Sequence, residues 1–247
     1  MIDIPGSLVD KVRAARKVAL LTGAGISAES GVPTFRDAQT GLWAQYNPEE
    51  LATPEAFSRD PKLVWEWYAW RRQLVADARP NPGHYALAEM QAHFSDFTLI
   101  TQNVDSLHAR AGSRDVIELH GNISRIKCSA GCGVVTLFSA DEAPPRCRRC
   151  GAYLRPDVVW FGEMLSLDAL NRANEATAAC EVFFSIGTSA LVFPAADLPV
   201  IALRNGATVV EINPTATALS RQLQVALRGP AGEVLPELVR RCWPKGG

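Results

Sequence analysis

Four cysteines carry the strongest chemical signal in the chain. Cys128 and Cys132 are separated by three residues, Cys147 and Cys150 by two, and fourteen residues lie between the pairs. Each pair offers two thiolates from one turn, and four thiolates close a tetrahedron around zinc. Such a site leaves no open position for water, so the zinc expected here is structural. Cys180 and Cys242 read as ordinary small core or surface residues. A second signal is Gly23-Ala24-Gly25-Ile26-Ser27-Ala28, which fits G-x-G-x-x-G/A. That turn brings backbone N–H groups to a pyrophosphate, although a plain tight turn would use the same glycines. A nicotinamide dehydrogenase needs an acidic residue about 20 positions further on, at the end of a strand. Thr40-Gly41-Leu42-Trp43 stands there instead, and it is not strand-like.

Single residues add weaker signals. His120 ends an apolar run and is followed by Gly121, a placement that suits a general base with a pKa near 7. His84, His93 and His108 lack that context and read as structural. Asn103 and Asp105 follow another apolar run; they could bind a ribose or a carboxamide, or equally cap the next helix. Tyr68 and Arg71 stand three apart on an expected helix and so share a face. A hydroxyl beside a planar guanidinium would receive a carboxylate well. An aromatic packing stripe with a solvated arginine explains the same pattern.

Elements must bring these residues together. Short apolar runs at 17–22, 97–101, 116–121, 182–186 and 208–212 read as buried strands. Helical patterns appear at 9–15, 61–75, 84–93 and 231–241. Strands alternating with helices, with small or polar residues at the strand ends, imply an open parallel sheet that binds ligands at its carboxyl edge. Gly23, Gln102, His120, Gly187 and Asn213 should therefore converge on one crevice. The cysteine segment and the aromatic region from Trp43 to Val75 have no place in that sheet and read as insertions forming a smaller domain.

The composition sets bounds. The chain has 247 residues, 47% of them hydrophobic and 21% charged, enough to bury a core without disulfides. The formal net charge is -1, which gives no electrostatic footprint for nucleic acid or an anionic membrane. The most apolar stretch, 189–203, is broken by Pro194, Asp197 and Pro199, so no membrane span is expected. No signal peptide is visible. Clustered cysteines in such a chain suggest a reducing, cytoplasmic setting.

Taken together, the motifs resemble the sirtuins, the NAD-dependent protein deacylases. The matching stretches are Gly23-Ala24-Gly25-Ile26-Ser27, Gly31-Val32-Pro33-Thr34-Phe35-Arg36-Asp37, Thr101-Gln102-Asn103-Val104-Asp105, Leu119-His120-Gly121, the four cysteines, Val159-Trp160-Phe161-Gly162-Glu163, Gly187-Thr188-Ser189 and Asn213. The resemblance implies an α/β fold: a Rossmann-like large domain (1–35, 78–122 and 156–247) and a small helical and zinc-binding domain (36–77 and 123–155). It implies that NAD is consumed. The acyl-lysine oxygen would attack C1′ of the nicotinamide ribose, and His120 would then act as base on a ribose hydroxyl. Lysine and 2′-O-acyl-ADP-ribose would be the products.

By the same likeness, Gly23, Ala24, Gly25, Ser27, Ala28, Thr34 and Trp43 would contact the cofactor. Phe35 would shield the reacting carbon and Arg36 would line the cofactor loop. Asn103 and Asp105 would hold the nicotinamide and ribose, with Asn103 taking part in catalysis, and Gln102 and His120 would also contact the cofactor. Gly187, Thr188, Ser189 and Asn213 would hold the phosphates and adenosine, and Ala231 would also contact the cofactor. Val159, Trp160, Phe161, Gly162 and Glu163 would pair with the substrate backbone as a strand. Tyr68-Ala69-Trp70-Arg71 is similar to the Tyr-x-x-Arg of the desuccinylase-like, class III branch, and Ala52 would leave room for a longer acyl chain. The partners implied are acylated-lysine proteins, with no nucleic acid and no membrane, and the chain is expected to be a monomer. A sirtuin-like mono-ADP-ribosyltransferase and a non-catalytic NAD sensor or zinc-bearing interaction module are the competing readings.

Overall fold

The computed structural model describes residues 2–33, 46–139, 142–223 and 225–244. The chain runs α1 (Gly6–Ala14), β1 (Lys17–Thr22), α2 (Ala24–Ala28), α3 (Pro48–Leu51), α4 (Pro54–Arg59), α5 (Pro61–Asp77) and α6 (Pro82–Gln91). It continues through β2 (Asp96–Thr101), α7 (Leu107–Arg110), β3 (Ile117–Glu118), β4 (Gly121–Cys128), β5 (Val134–Val135) and β6 (Leu154–Val158). The remainder is α8 (Leu167–Ala179), β7 (Val182–Ile186), α9 (Leu198–Arg204), β8 (Thr208–Ile212), β9 (Val225–Leu227) and α10 (Ala231–Cys242).

Six strands form one parallel sheet in the order β3-β2-β1-β7-β8-β9. Counted along the chain, that is 3-2-1-4-5-6, the order of doubly wound dinucleotide-binding sheets. Strand β1 is central, and Val18 to Thr22 are all buried. Its side chains alternate between two cores, as the period of two demands. Val18 and Leu20 join Phe184 and Val210 beneath α1, α6 and α10. Ala19 and Leu21 join Phe183 and Val209 beneath α8 and α9. Helices α8 and α9 were not singled out by the sequence pattern. The strand expected at 116–121 is shorter than read, because the chain leaves the sheet after Glu118.

The order reverses between β1 and β7, and there two backbone turns meet. The Gly23 N–H donates to the Ile186 carbonyl at 3.0 Å and the Gly25 N–H to the Gly187 carbonyl at 2.8 Å. A Cβ on Gly25 would lie 2.8 Å from Gly187 Cα, and one on Gly187 (φ 58°) would lie 2.5 Å from the Ile26 nitrogen. Only glycine allows that approach.

The second sheet is antiparallel, in the order β5-β4-β6. It carries Cys128 at the end of β4 and packs Ile126, Leu154, Cys128 and Cys147 against Trp65 of α5. Helix α5 starts where Asp60 accepts from the Leu63 N–H at 3.0 Å, with Pro61 in the first turn. Its inner face sends Val64, Trp67 and Tyr68 into an aromatic core with Ala52, Phe57, Val158 and Trp160. The region 46–78 thus lies outside the parallel sheet, as its composition suggested.

Candidate active site

The five strand-end residues come together at the carboxyl edge. The Gln102 N–H donates to the Thr22 carbonyl at 3.0 Å, the Leu119 N–H to Thr101 at 3.0 Å and the Gly187 N–H to Ile212 at 2.9 Å. Side chains lace the edge from above. Gln102 Nε2 donates to Thr188 Oγ1 at 3.0 Å, and Asn213 Nδ2 donates to the Thr188 carbonyl at 3.0 Å. Beside Asn213, the buried Glu211 holds Ser220 Oγ at 2.5 Å and Arg228 at 2.6 Å, tying down the turn that follows β8.

His120 is half-buried at the edge of this crevice. Its Nδ1 lies 2.9 Å from the Gln102 carbonyl. A carbonyl only accepts, so Nδ1 bears the proton and Nε2 keeps its lone pair. Burial lowers the ring's pKa, while the carbonyl contact acts in the opposite sense. The imidazole is therefore neutral near pH 7, with one basic nitrogen.

Behind it lies a buried polar network. Ser27 Oγ donates to Asp105 Oδ2 at 2.7 Å and accepts from Asn103 Nδ2 at 3.1 Å. Asn103 Nδ2 also donates to the Gly23 carbonyl at 3.0 Å, which joins the glycine turn to the end of β2. Asp105 Oδ1 accepts from the Leu107 N–H at 2.9 Å, from one residue ahead of Ser106, the N-cap of α7. Burial raises the Asp105 carboxyl. Two histidines read as merely structural belong to the same network. His84 Nδ1 accepts from the Asn81 N–H at 3.3 Å, and its Nε2 lies 3.5 Å from Ser27 Oγ. His108 Nε2 lies 2.8 Å from Thr22 Oγ1, which donates to Thr101 Oγ1 at 2.8 Å. Nothing in their spacing marked them, because three elements must fold before they meet.

Ala24, Gly25 and Ala28 lie in α2, directly after the glycine turn. Ala231 opens α10, and the adjacent Gly232 N–H donates to Glu29 at 2.9 Å just beyond α2. Ser189 is half-buried beside Thr188. Thr34, Phe35, Arg36 and Trp43 lie outside the described residues.

The aromatic core forms a second wall. Ala52 is 3% exposed, and its carbonyl accepts from the Phe161 N–H at 2.9 Å. Tyr68 enters this core from α5, and three residues on the Arg71 guanidinium carbon lies 5.1 Å from the Trp67 ring centroid. Burial pushes the Tyr68 phenol up to about 12, with Arg71 acting in the opposite sense, so the hydroxyl is neutral. The segment 159–163, expected to pair with a substrate backbone, follows β6 without belonging to a sheet of its own: the Val159 N–H donates to the His120 carbonyl at 2.9 Å and the Glu163 N–H to Trp160 at 3.0 Å. Glu163 is occupied by Arg155, with contacts of 2.5 and 2.9 Å.

The four cysteine sulfurs all lie within 4.8 Å of one another. The Ala130 N–H donates to Cys128 Sγ at 3.4 Å, and Cys128 Sγ lies 3.5 Å from Cys150 Sγ. Burial opposes it, yet the N–H groups of Cys132 and Ala130 and the neighbouring thiols hold the Cys128 thiol down at about 7. Cys132 is pushed up to about 12 by the sulfurs of Cys150 and Cys128. Four thiols this close cannot all ionise alone; a divalent soft cation removes the conflict, and the donor set fits zinc.

Two outcomes are expected. Zinc removal by a strong chelator lowers the melting temperature, because binding free energy is folding free energy; an unchanged melting curve, with no zinc by elemental analysis, refutes the metal centre. The second concerns pH. Burial draws His84 down to about 4, and burial with the neighbouring His84 draws His108 to about 3. Unfolded histidine titrates near 6.5, so below that pH the unfolded chain binds more protons and the fold loses stability until the buried rings titrate. Asp105 shifts in the opposite sense, so the test compares variants with the parent. Between pH 6.5 and 4 the melting temperature should fall, and His84→Gln with His108→Gln should flatten that slope; equal slopes refute the assignment.

Residues 23–194 match the Sir2 family. The NAD-dependent protein deacylase 2 of Pyrobaculum aerophilum is 54% identical over 235 residues, covering 94% of each chain. The NAD-dependent protein deacylase of Methylococcus capsulatus is 51% identical, covering 97% of each chain. Among solved structures, a Sir2 homologue–NAD complex superposes with a TM-score of 0.89 at 47% identity, over 97% of this chain and 94% of that one. A mutant Sir2 homologue bound to 2′-O-acetyl ADP ribose gives 0.88 at 47% identity, over 97% of this chain and 96% of that one. With glycine turn, strand-end histidine and cysteine quartet in one fold, the chain belongs to the Sir2 family.

Proposed function

We propose that the chain is an NAD-dependent protein-lysine deacylase that favours acyl groups ending in a carboxylate, such as succinyl and malonyl. The observation that carries the reaction is the neutral His120, whose basic Nε2 stands at the carboxyl edge of the sheet. The relatives named above as NAD-dependent protein deacylases, and the solved complex of a Sir2 enzyme with a p53 peptide and NAD+, support the substrate class. NAD supplies an electrophilic ribose carbon once its nicotinamide departs. The chain's residues do the rest. The glycine turn and the start of α2 present backbone N–H groups for the phosphates. Thr188, Ser189 and Asn213 extend that surface towards the adenosine. Asn103 and Asp105, fixed by Ser27, position the nicotinamide ribose. His120 Nε2 takes the proton of a ribose hydroxyl, and the Gln102 carbonyl stabilises the imidazolium that results.

The acyl chain enters beside Ala52, and Tyr68 and Arg71 receive its terminal carboxylate. A buried charge-assisted contact of this kind is worth about 1.5–3 kcal/mol. The substrate backbone lies along 159–163. The working form is a monomer in the cytoplasm; among the described residues, no helix is long and apolar enough to cross a membrane.

His120→Tyr should abolish NAD-dependent acyl transfer with the melting curve preserved; retained turnover places the base elsewhere. Arg71→Met should lower the preference for succinyl-lysine over acetyl-lysine peptide about tenfold to a hundredfold. Equal loss of both activities refutes the carboxylate pocket, and mass spectrometry showing ADP-ribosylated protein in place of 2′-O-acyl-ADP-ribose refutes deacylation.

A further inference from the structure

The Tyr68 hydroxyl has one hydrogen and two lone pairs, and the structure decides which of them faces a ligand. Trp160 Nε1 lies 2.9 Å from Tyr68 Oη, and both side chains are buried. An indole nitrogen can only donate, so Tyr68 is the acceptor in that bond, and among the described residues its own hydrogen meets no acceptor. The indole is clamped. The Arg155 guanidinium carbon lies 3.2 Å from its centroid, the Tyr68 ring stacks at 6.2 Å, and Phe57 lies tilted at 5.2 Å. Arg155 is itself fixed by both Glu163 oxygens and by the Val158 carbonyl at 2.8 Å. The Trp160 N–H donates to Glu163 at 2.9 Å, so the same carboxylate sets the backbone that carries the indole.

We propose that Trp160 is a positioning residue for acyl selectivity: its indole N–H occupies Tyr68 Oη as an acceptor, so that the hydroxyl meets the acyl group as a donor, suited to a carboxylate terminus. This rests on the Tyr68–Arg71 reading and deepens it. The hydroxyl and the Arg71 guanidinium then present donors from one helix face, and a carboxylate, which only accepts, can use both. A methyl terminus uses neither. Glu163 and Arg155 act one step further back, through the indole plane.

The test uses the full chain with NAD and one peptide carrying either succinyl-lysine or acetyl-lysine. Trp160→Phe keeps an aromatic ring in the packed site and removes the N–H together with part of the indole. It should lower the succinyl-to-acetyl ratio of kcat/KM about three- to tenfold, the equivalent of one hydrogen bond, through KM for the succinyl peptide. In a Tyr68→Phe background the same substitution should move the ratio by less than about twofold, since the pair acts as a unit. A purely structural tryptophan would depress both peptides together, and an unmoved ratio overturns the proposal. A second readout survives poor folding of that variant: in 15N-labelled wild type, the Trp160 indole resonance should shift on adding succinyl peptide and not acetyl peptide, and no difference between the two overturns it. Arg71→Met separates the two claims. If it lowers the ratio and Trp160→Phe does not, the indole has no such role while the carboxylate pocket stands. If neither lowers it, the pocket itself is wrong.

Discussion

Everything at the carboxyl edge depends on one contact without side chains. The turn after β1 and the turn after β7 touch backbone to backbone, and neither Gly25 nor Gly187 has room for a Cβ. The contact places the start of α2 at the point where strand order reverses, which is where an open α/β sheet forms its crevice. It also fixes the Gly23 carbonyl, which receives the Asn103 amide and so ties the end of β2 to the same point. The N–H groups proposed to face phosphate and the side chains proposed to hold a ribose are thus set by one piece of close packing.

Burial then sets the charge of the groups around that contact. His84 and His108 are held neutral, and so is His120, although the last keeps an accessible nitrogen. The Asp105 carboxyl, drawn up by burial, is steadied by Ser27 and the Leu107 N–H. Around the aromatic wall the phenol is likewise neutral, leaving the Arg71 guanidinium to supply positive charge on that face of α5. A cleft of mostly neutral donors and acceptors, with a cation on one wall, suits a dinucleotide of low net charge on one side and a small anion on the other.

How much of this was legible follows from how local each signal is. The cysteine quartet and the β1 glycine turn depend on spacing within a few residues, and the strand cores depend on continuous apolar runs; these read directly. Sequence spacing favoured a packing stripe for Tyr68 and Arg71, and the Tyr68 ring does pack in the aromatic core. What spacing cannot carry is the partner from elsewhere: Trp160 reaches Tyr68 across 92 positions, and His108 reaches Thr22 across 86. The fold-back of Glu163 to Arg155, which shapes the segment expected to pair with substrate, joins a pair eight residues apart that alternation does not reveal. The end of the strand expected at 116–121 failed for a similar reason. Gly121 takes φ 78° and its α-hydrogen side faces the Asp157 carbonyl so closely that a Cβ would sit 2.1 Å away, which turns the chain into the second sheet.

That corner joins two parts that look unrelated. Strand β4 begins at Gly121, next to the imidazole, and ends at Cys128, the first sulfur of the quartet. Eight residues of extended chain span roughly 25 Å, at about 3.3 Å each. The strand is therefore a spacer bar, anchored at its far end by the cysteine quartet and at its near end by the ring proposed to take the proton. An ion that never meets a reactant would in this way be part of the lever that sets where that proposed base stands.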